Sequence, residues 1–121
     1  MITGAHRIRS GDDFRRVFKA GVRVRSGHLM AHSLIDRDDS HAARVGFIVS
    51  KAVGNAVRRN QVKRRLREIM RVRREGMDPG TLFVIRALPQ ASEAEFSELE
   101  SEVVMLMDKA QKKLDGRGRR T

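Results

Sequence analysis

The chain has 121 residues, and its 26 Lys and Arg against 15 Asp and Glu give a formal net charge of +11. This length fits a single domain, 1–121, and the absence of cysteine excludes disulfide scaffolds, zinc fingers, iron–sulfur clusters and thiol nucleophiles. No apolar run approaches the ~18 residues of a membrane span, and residues 1–7 contain no apolar signal core, so we expect a cytoplasmic protein.

The first predicted element is a short helix over residues 11–20. Ser10 is a typical N-cap residue, and the two aspartates that follow it suit the positive end of a helix. Phe14, Val17 and Phe18 then recur at helical spacing. Either both phenylalanines pack in the core, or one of them borders an exposed groove where it could stack on a base.

Two predicted strands follow at residues 29–35 and 45–50, separated by the polar residues 36–41. The polar segment predicts a hairpin loop between them. His32 falls in the middle of the first strand, on a face that it shares with apolar residues. It is therefore either packed or presented to a ligand.

The next predicted element is a basic helix over residues 56–74. Residues 51–75 carry 10 basic and 2 acidic groups, the largest excess in the chain. Val62, Leu66 and Ile69 fall on one side of this helix. The sector opposite them holds polar and basic residues: Asn60, Lys63, Arg64, Arg67, Arg71 and Arg74. A basic face of this kind is typical of proteins that bind a nucleic-acid backbone, and Asn60 could add a contact to a base edge or a 2′-hydroxyl.

The C-terminal half contains a predicted strand, residues 81–85, and a long final helix whose capping box consists of Ser92 and Glu95. The acidic outer face of that helix is expected to be solvated, and residues 116–121 are expected to form a disordered basic tail. The order helix, strand, strand, helix, strand, helix predicts an α/β sandwich in which a small sheet packs on the helices. The pattern fixes neither the strand order nor the crossover handedness.

Catalysis by the chain itself is weakly supported. One group of side chains could imitate a metal-dependent phosphodiesterase site: His28, His32, Asp36, Asp38, Asp39 and His41. Acids are ordinary turn residues, however, and no phosphate-binding glycine loop or nucleophilic triad is present. We therefore expect a binding protein, with RNA as the first candidate partner and DNA as the second, because residues 45–50 look like a strand where a helix-turn-helix needs a helix.

Three stretches, residues 13–21, 45–67 and 81–89, resemble the family of protein subunits of bacterial ribonuclease P. The most specific run is Arg59-Asn60-Gln61-Val62-Lys63-Arg64-Arg65-Leu66-Arg67. The resemblance implies a small mixed sheet with helices and a left-handed strand-helix-strand crossover. It also implies that the partner RNA is the catalyst, which removes the 5′ leader of precursor tRNA with Mg²⁺ bound mainly by that RNA. The protein would raise substrate affinity, with no obligate protein partner and no membrane.

The resemblance assigns two RNA-binding surfaces. The helix that contacts the RNA subunit carries Arg58, Arg59, Asn60, Lys63, Arg64, Arg67 and Arg71. A cleft between the first helix and the sheet, which takes the 5′ leader, carries Phe14, Phe18, His32 and Lys51. The chain departs from the family pattern at Gln61, where an Arg is usual, at His32, where an aromatic is common, and in the order Arg86-Ala87. Two other functions stay open, a ribosome-associated RNA-binding protein of similar fold and a metal-dependent nuclease.

Overall fold

The computed structural model describes residues 6–118. The elements in chain order are α1 (Gly11–Ala20), β1 (Val22–Ser26), β2 (Leu29–Ile35), β3 (Arg44–Ile48), α2 (Ala56–Arg73), β4 (Thr81–Ala87) and α3 (Phe96–Gly118). Short 3-10 turns lie at Lys51–Val53, Arg74–Gly76 and Pro89–Glu93. Within the described range no helix has the length and apolar character that crossing a membrane requires.

The four strands form one mixed sheet in the order β1-β2-β4-β3. The β1–β2 and β2–β4 pairs are antiparallel, whereas β3 and β4 are parallel and joined through α2. The predicted hairpin between β2 and β3 is wrong, because β4 lies between these strands. Residues 81–85 are buried on both faces, which suits a central strand flanked by two neighbours.

Strand β1 has no counterpart among the predicted elements. Its residues alternate two buried valines, Val22 and Val24, with two exposed arginines, Arg23 and Arg25. A tight turn joins it to β2, and Gly27 in that turn adopts a φ of +56°, which glycine tolerates best. The result is an edge strand with one apolar and one basic face.

The two faces of the sheet carry separate cores. On one face, α2 and α3 pack their apolar sides, including Leu66 and Leu106, against Phe83 and Ile85 of β4. On the other face, α1 contributes Val17 to a smaller core. Because α1 contacts β2 and β4 but spans only ten residues, it leaves part of this second face uncovered.

The capping box predicted at Ser92 is wrong, because α3 begins at Phe96. Ser92 lies in a 3-10 turn, and its hydroxyl donates to the carbonyl of Val53 at 3.3 Å. Glu98 instead accepts a hydrogen bond from the backbone N–H of Glu95 at 3.0 Å, so one of the two hydrogen bonds of a capping box forms three residues later.

The end of α3 also differs from the prediction. Residues 116–118, the first half of the expected disordered tail, are helical. The guanidinium of Arg117 donates to the carbonyl oxygens of Ala20 at 2.6 Å and Gly21 at 3.3 Å, which holds the helix end against the start of β1. Residues 119–121 of that tail lie outside the described residues.

Candidate nucleic-acid interface

The start of α2 is fixed by its N-cap. The side chain of Asn55 accepts a hydrogen bond from the backbone N–H of Arg58 at 2.9 Å, which satisfies one of the free donors of the first turn. Gly54 precedes it with a φ of +151°, a conformation that side chains rarely adopt. A Cβ at Gly54 would also lie 3.1 Å from the Arg58 side chain. This turn therefore sets where the first basic residues of α2 point.

The division of α2 into a buried side and a polar side is as predicted, except that Arg74 lies in the 3-10 turn after the helix. Val62, Leu66 and Ile69 are buried on the opposite side. Five cations of α2 have no carboxylate within 4.0 Å among residues 6–118: Arg58 and Arg59 in its first turn, and Lys63, Arg64 and Arg67 on the basic face. Their positive charges are thus uncompensated and available to a phosphate backbone.

Two of these arginines are only half exposed. The Nε atoms of Arg59 and Arg67 are shielded and have no hydrogen-bond partner within the described part of the chain. A buried donor without an acceptor costs about 1–3 kcal/mol. These guanidinium groups therefore gain most from an acceptor that a partner supplies.

Other arginines of α2 are engaged. Arg71 pairs with Glu68 at 2.9 Å, and this hydrogen bond raises the pKa of the Arg71 guanidinium. Arg65 donates to the carbonyl of Ala94 at 3.2 Å and so joins α2 to the segment before α3. Of the residues assigned to RNA-subunit binding, Arg71 is thus the one whose charge is already partly neutralised.

The second surface lies on the sheet beside α1. His32 on β2 stands opposite Arg23 on β1 and Val84 on β4, and Met30 stands opposite Arg86. Directly opposed residues point to the same face of a sheet. Arg23 and Arg86 therefore flank His32 on this face. The order Arg86-Ala87 departs from the family pattern, and the register shows that the Arg86 side chain lies on the cleft side of the sheet.

Two phenylalanines of α1 have different roles here. Phe14 is half-buried and packs over Gly46 of β3, where a Cβ would meet the Phe14 ring at 2.7 Å. Phe18 is 42% exposed, and its ring meets the His32 ring edge-on with centroids 4.7 Å apart. The two phenylalanine rings lie 6.5 Å apart. We refer to the surface formed by Phe14, Phe18, Arg23, His32 and Arg86 as the α1–sheet cleft.

Lys51, also assigned to leader binding, is exposed in the 3-10 turn after β3. The last residue of β3, Ile48, stands opposite Arg86 and so lies on the cleft face. No contact ties the Lys51 side chain to the cleft within residues 6–118. The structure places Lys51 beyond the end of β3, and its role in leader binding stays a prediction.

The electrostatics of the cleft favour a neutral imidazole at His32. Burial lowers the pKa of His32, and the charges of Arg23 and Arg86 lower it further. Its Nε2 is shielded and has no partner among the described residues. A neutral ring between two cations can pack against a base while the arginines attract phosphates.

The structure disperses the group of His and Asp residues that could have formed a metal site. Asp36 pairs with Arg16 at 3.0 Å, and Asp39 pairs with Arg44 at 3.2 Å and His41 at 2.6 Å. Within residues 6–118 no three His, Asp or Glu side chains converge to hold a metal ion. These acids instead fix the β2–β3 connection.

His28, from the same group, contacts α3. Its Nδ1 lies 2.9 Å from a carboxylate oxygen of Glu102, whose other oxygen accepts the His28 backbone N–H. Glu102 is only 12% exposed, so it differs from the solvated acid that the sequence predicts for this face. The hydrogen bond to Glu102 raises the pKa of His28.

The raised pKa of His28 predicts a pH-dependent stability difference between the protein and its His28→Gln variant. The contribution of charged His28 is fully present below the ordinary histidine pKa and disappears as pH rises through the raised pKa. We expect the variant to be less stable by about 0.5–1 kcal/mol at pH 5.5 and nearly equal at pH 8.5, measured by urea unfolding. In a Glu102→Gln background the His28 substitution should show no such trend, and an unchanged trend there would assign the effect to another group.

Three arginines that face the same side of the sheet as His32 were not assigned to a site from the sequence: Arg23 and Arg25 of β1, and Arg86 of β4. The alternation of valine and arginine in β1 is the signal that could have found the first two. Together, the mixed sheet, the uncompensated cations of α2 and the α1–sheet cleft define a small α+β protein of the nucleic-acid-binding class.

Comparisons with known proteins identify the family. The family model described as Ribonuclease P matches residues 2–111. A ribonuclease P protein component of Beutenbergia cavernae is 47% identical over 103 residues, covering 85% of this chain and 86% of the relative. One from Streptomyces avermitilis is 40% identical over 127 residues, covering 99% of this chain and all of the relative.

Solved structures of ribonuclease P proteins have the same fold as this chain. The Staphylococcus aureus RNase P protein superposes with a TM-score of 0.77 at 27% identity, covering 87% of this chain and 94% of that one. The Thermotoga maritima RNase P protein gives a TM-score of 0.73 at 26% identity, covering 85% and 96% of the two chains.

The chain belongs to the ribonuclease P protein family, whose members are protein components of the ribonucleoprotein endoribonuclease that processes tRNA. The resemblance stated from the sequence is confirmed, as is the mixed α/β architecture. Membership implies association with ribonuclease P RNA. The handedness of the β3–α2–β4 crossover stays a prediction.

Proposed function

We propose that the chain docks ribonuclease P RNA through the basic face of α2 and holds the 5′ leader of precursor tRNA in the α1–sheet cleft. The RNA subunit then performs the endonucleolytic cut that gives the mature 5′ end. The protein contributes binding and orientation, and none of its side chains is assigned to the reacting atoms.

One observation carries the first half of this proposal. Five cations within residues 58–67 of α2 have no carboxylate partner in the described chain, although acidic residues are available elsewhere on the surface. With 26 Lys and Arg against 15 Asp and Glu, some cations must lack a carboxylate, but here five of them are concentrated in one short stretch of one helix. Leaving five unpaired on one helix favours a phosphate backbone as their partner. Asn60, exposed beside Arg59, adds a hydrogen-bonding group that can contact a base or a ribose hydroxyl.

The second half rests on the composition of the cleft. Phe18 and His32 present ring surfaces at one end, and Arg23 and Arg86 present cations on the same face. Single-stranded nucleic acid is held by this combination, because bases stack on rings while the backbone follows positive charge. A duplex cannot expose its base faces, so the cleft favours an unpaired leader over the body of tRNA.

Mg²⁺ is assigned to the RNA subunit. Asp36 and Asp39 of the β2–β3 connection pair with Arg16 and Arg44, and the described residues offer no converging set of ligands. The donor set of residues 6–118 therefore does not fit a resident metal ion. We propose that the protein assists the RNA-bound metal only indirectly, by holding substrate next to it.

The experiment that tests this function mixes the purified chain with a bacterial ribonuclease P RNA and precursor tRNA. The Mg²⁺ concentration is set below that at which the RNA cuts alone, and the 5′ end of the product is mapped. We expect the mature 5′ end to form only in the complete mixture, because protein contacts replace part of the charge neutralisation that high Mg²⁺ supplies.

Two controls make the outcome decisive. The protein alone should cut nothing, and the RNA alone at high Mg²⁺ should give the same 5′ end as the mixture. Cleavage by the protein alone would support a nuclease instead. No stimulation by a folded protein that still binds the RNA would overturn the proposed subunit role.

A further inference from the structure

A second basic surface lies at the edge of the sheet formed by β1, opposite the edge formed by β3. There α3 places three cations at successive intervals of four residues along β1. Lys109 Nζ donates to the carbonyl oxygen of Arg25 at 2.8 Å, and Lys113 Nζ donates to that of Arg23 at 2.7 Å. Arg117 donates in the same way to Ala20 at 2.6 Å.

These contacts protect the edge strand, and by themselves they require no partner. Each ammonium group, however, uses one of its three donors, and an uncharged carbonyl does not cancel its charge. Five exposed cations on this surface have no carboxylate within 4.0 Å in the described part of the chain: Arg23, Arg25, Lys109, Lys113 and Arg117. Edge protection explains where the lysines point but leaves the two arginine side chains of β1 unexplained.

Two adjoining grooves run along this edge. One, of about 510 Å³, is lined by Arg23, Val24, Arg25, Met30, Lys109 and Lys113. The other, of about 480 Å³, is lined by Gly21, Val22, Arg23, Lys113, Gly116 and Arg117. They share Arg23 and Lys113, and neither is lined by an acidic residue. The grooves therefore adjoin and form one basic surface along this edge, which we term the β1-edge channel.

The channel begins where the α1–sheet cleft ends. Arg23 lines both grooves and also stands directly opposite His32 of the cleft. Met30, which lines the first groove, stands between Arg25 and Arg86 on the cleft face. A single strand that leaves the rings of the cleft across β1 therefore enters the channel without a gap in positive charge.

The channel is separate from the basic face of α2. Helix α2 follows β3 at the other edge of the sheet. The segment before α3 and the first turns of α3 carry five acidic residues: Glu93, Glu95, Glu98, Glu100 and Glu102. A protein docked on its RNA subunit through α2 thus keeps the β1 edge free for a different segment of RNA. The channel has no exposed aromatic side chain in its lining, so it suits phosphates rather than bases.

We propose that the β1-edge channel binds the phosphodiester backbone of the upstream part of the precursor tRNA leader, beyond the nucleotides held in the α1–sheet cleft. This inference rests on the proposed leader-binding function and extends it. Binding through phosphates alone makes the contact tolerant of leader sequence but dependent on leader length and salt.

The test measures the affinity of the reconstituted holoenzyme for precursor tRNAs with leaders of about 4 and about 16 nucleotides, the range of single-stranded sites in small binding domains. The variant carries Arg25→Gln with Lys113→Gln. We expect it to lose the extra affinity for the long leader while affinity for the short leader stays unchanged. Its log–log salt slope for the long leader should become shallower by about 1.4, because each phosphate on a single strand contributes about 0.7.

The matched control removes two charges elsewhere, Arg73→Gln with Lys112→Gln, whose side chains already pair with Glu100 and Asp108. It should retain the long-leader advantage. Lys113 also donates a hydrogen bond to β1, so its replacement by glutamine could disturb the fold. The charge-preserving pair Arg25→Lys with Lys113→Arg should therefore restore the extra affinity for the long leader if the glutamine variant lost it through charge alone.

Three outcomes overturn the proposal in distinguishable ways. An unchanged advantage in the glutamine variant would leave leader binding intact and remove the channel from it. Equal losses for both leaders would place the channel against tRNA or the RNA subunit. A wild-type holoenzyme with no leader preference at all would instead overturn the proposed function.

Discussion

Replacing Arg64 and Arg67 together with alanine should weaken binding of the protein to ribonuclease P RNA by about 100-fold at low salt. Both residues lie on the basic face of α2 without a carboxylate partner in the described chain, and the Nε of Arg67 lacks any acceptor there. A hydrogen bond to a charged group contributes about 1.5–3 kcal/mol, so two of them account for about 3 kcal/mol. The measurement is a filter-binding titration at several salt concentrations.

The salt dependence separates lost phosphate contacts from general damage. The log–log slope should become shallower by about 1.8 for two contacts on duplex RNA if they behave as on duplex DNA. Alanine favours helix, Arg64 is exposed, and the shielded Nε of Arg67 has no hydrogen bond to lose, so the free energy of unfolding should change by no more than about 0.5 kcal/mol. The control pair Arg73→Ala and Lys112→Ala removes equal charge and should bind RNA almost normally. A weaker affinity with an unaltered slope would count against this face as the docking surface.

Helices and their faces could be predicted from the sequence because the information is local. The bounds predicted for α1 and β2 are those observed, and α2 differs only at its last residue. The burial of Val62, Leu66 and Ile69 follows from a period of 3.6 residues, which does not depend on the rest of the fold. The same period places the RNA-binding cations on one side.

Strand pairing could not be predicted because it is not local. The segments that became β2 and β3 are neighbours in sequence, yet β4, more than 30 residues further on, inserts between them. The burial of β4 on both faces indicates a central strand, but it does not show which strands pair with β4. Strand β1 has only five residues, and the side of the sheet on which its two arginines lie is set by its pairing with β2.

Only part of the cleft could be predicted from the sequence, because the rest depends on strand register. The resemblance supplies Phe14, Phe18 and His32, but side-chain direction on a strand depends on register. Arg23 and Arg86 join the cleft because each stands one strand away from a β2 residue that faces α1. Arg23 belongs to both the cleft and the β1-edge channel, because it stands opposite His32 and lines both grooves. The spacing of residues along the sequence could not have predicted this.

Replacing Phe18 with alanine should reduce the preference of the holoenzyme for precursor over mature tRNA by about tenfold. Phe18 is 42% exposed and meets the His32 ring edge-on, so it can stack on a leader base, which contributes about 1–3 kcal/mol. Phe14 is a poorer test, because it packs over Gly46 and its removal would also cost core packing. Affinities for both tRNAs are measured under conditions that bind without cleavage.

The matched control is Phe96→Ala, since Phe96 is 40% exposed and lies at the start of α3, away from the cleft residues. It removes a ring of the same size and exposure, so any general effect of losing surface apolar area should appear in both variants. Because mature tRNA has no leader, its affinity should not change in either variant. Equal losses for the two tRNAs in the Phe18 variant would mean that the ring supports the fold rather than the leader.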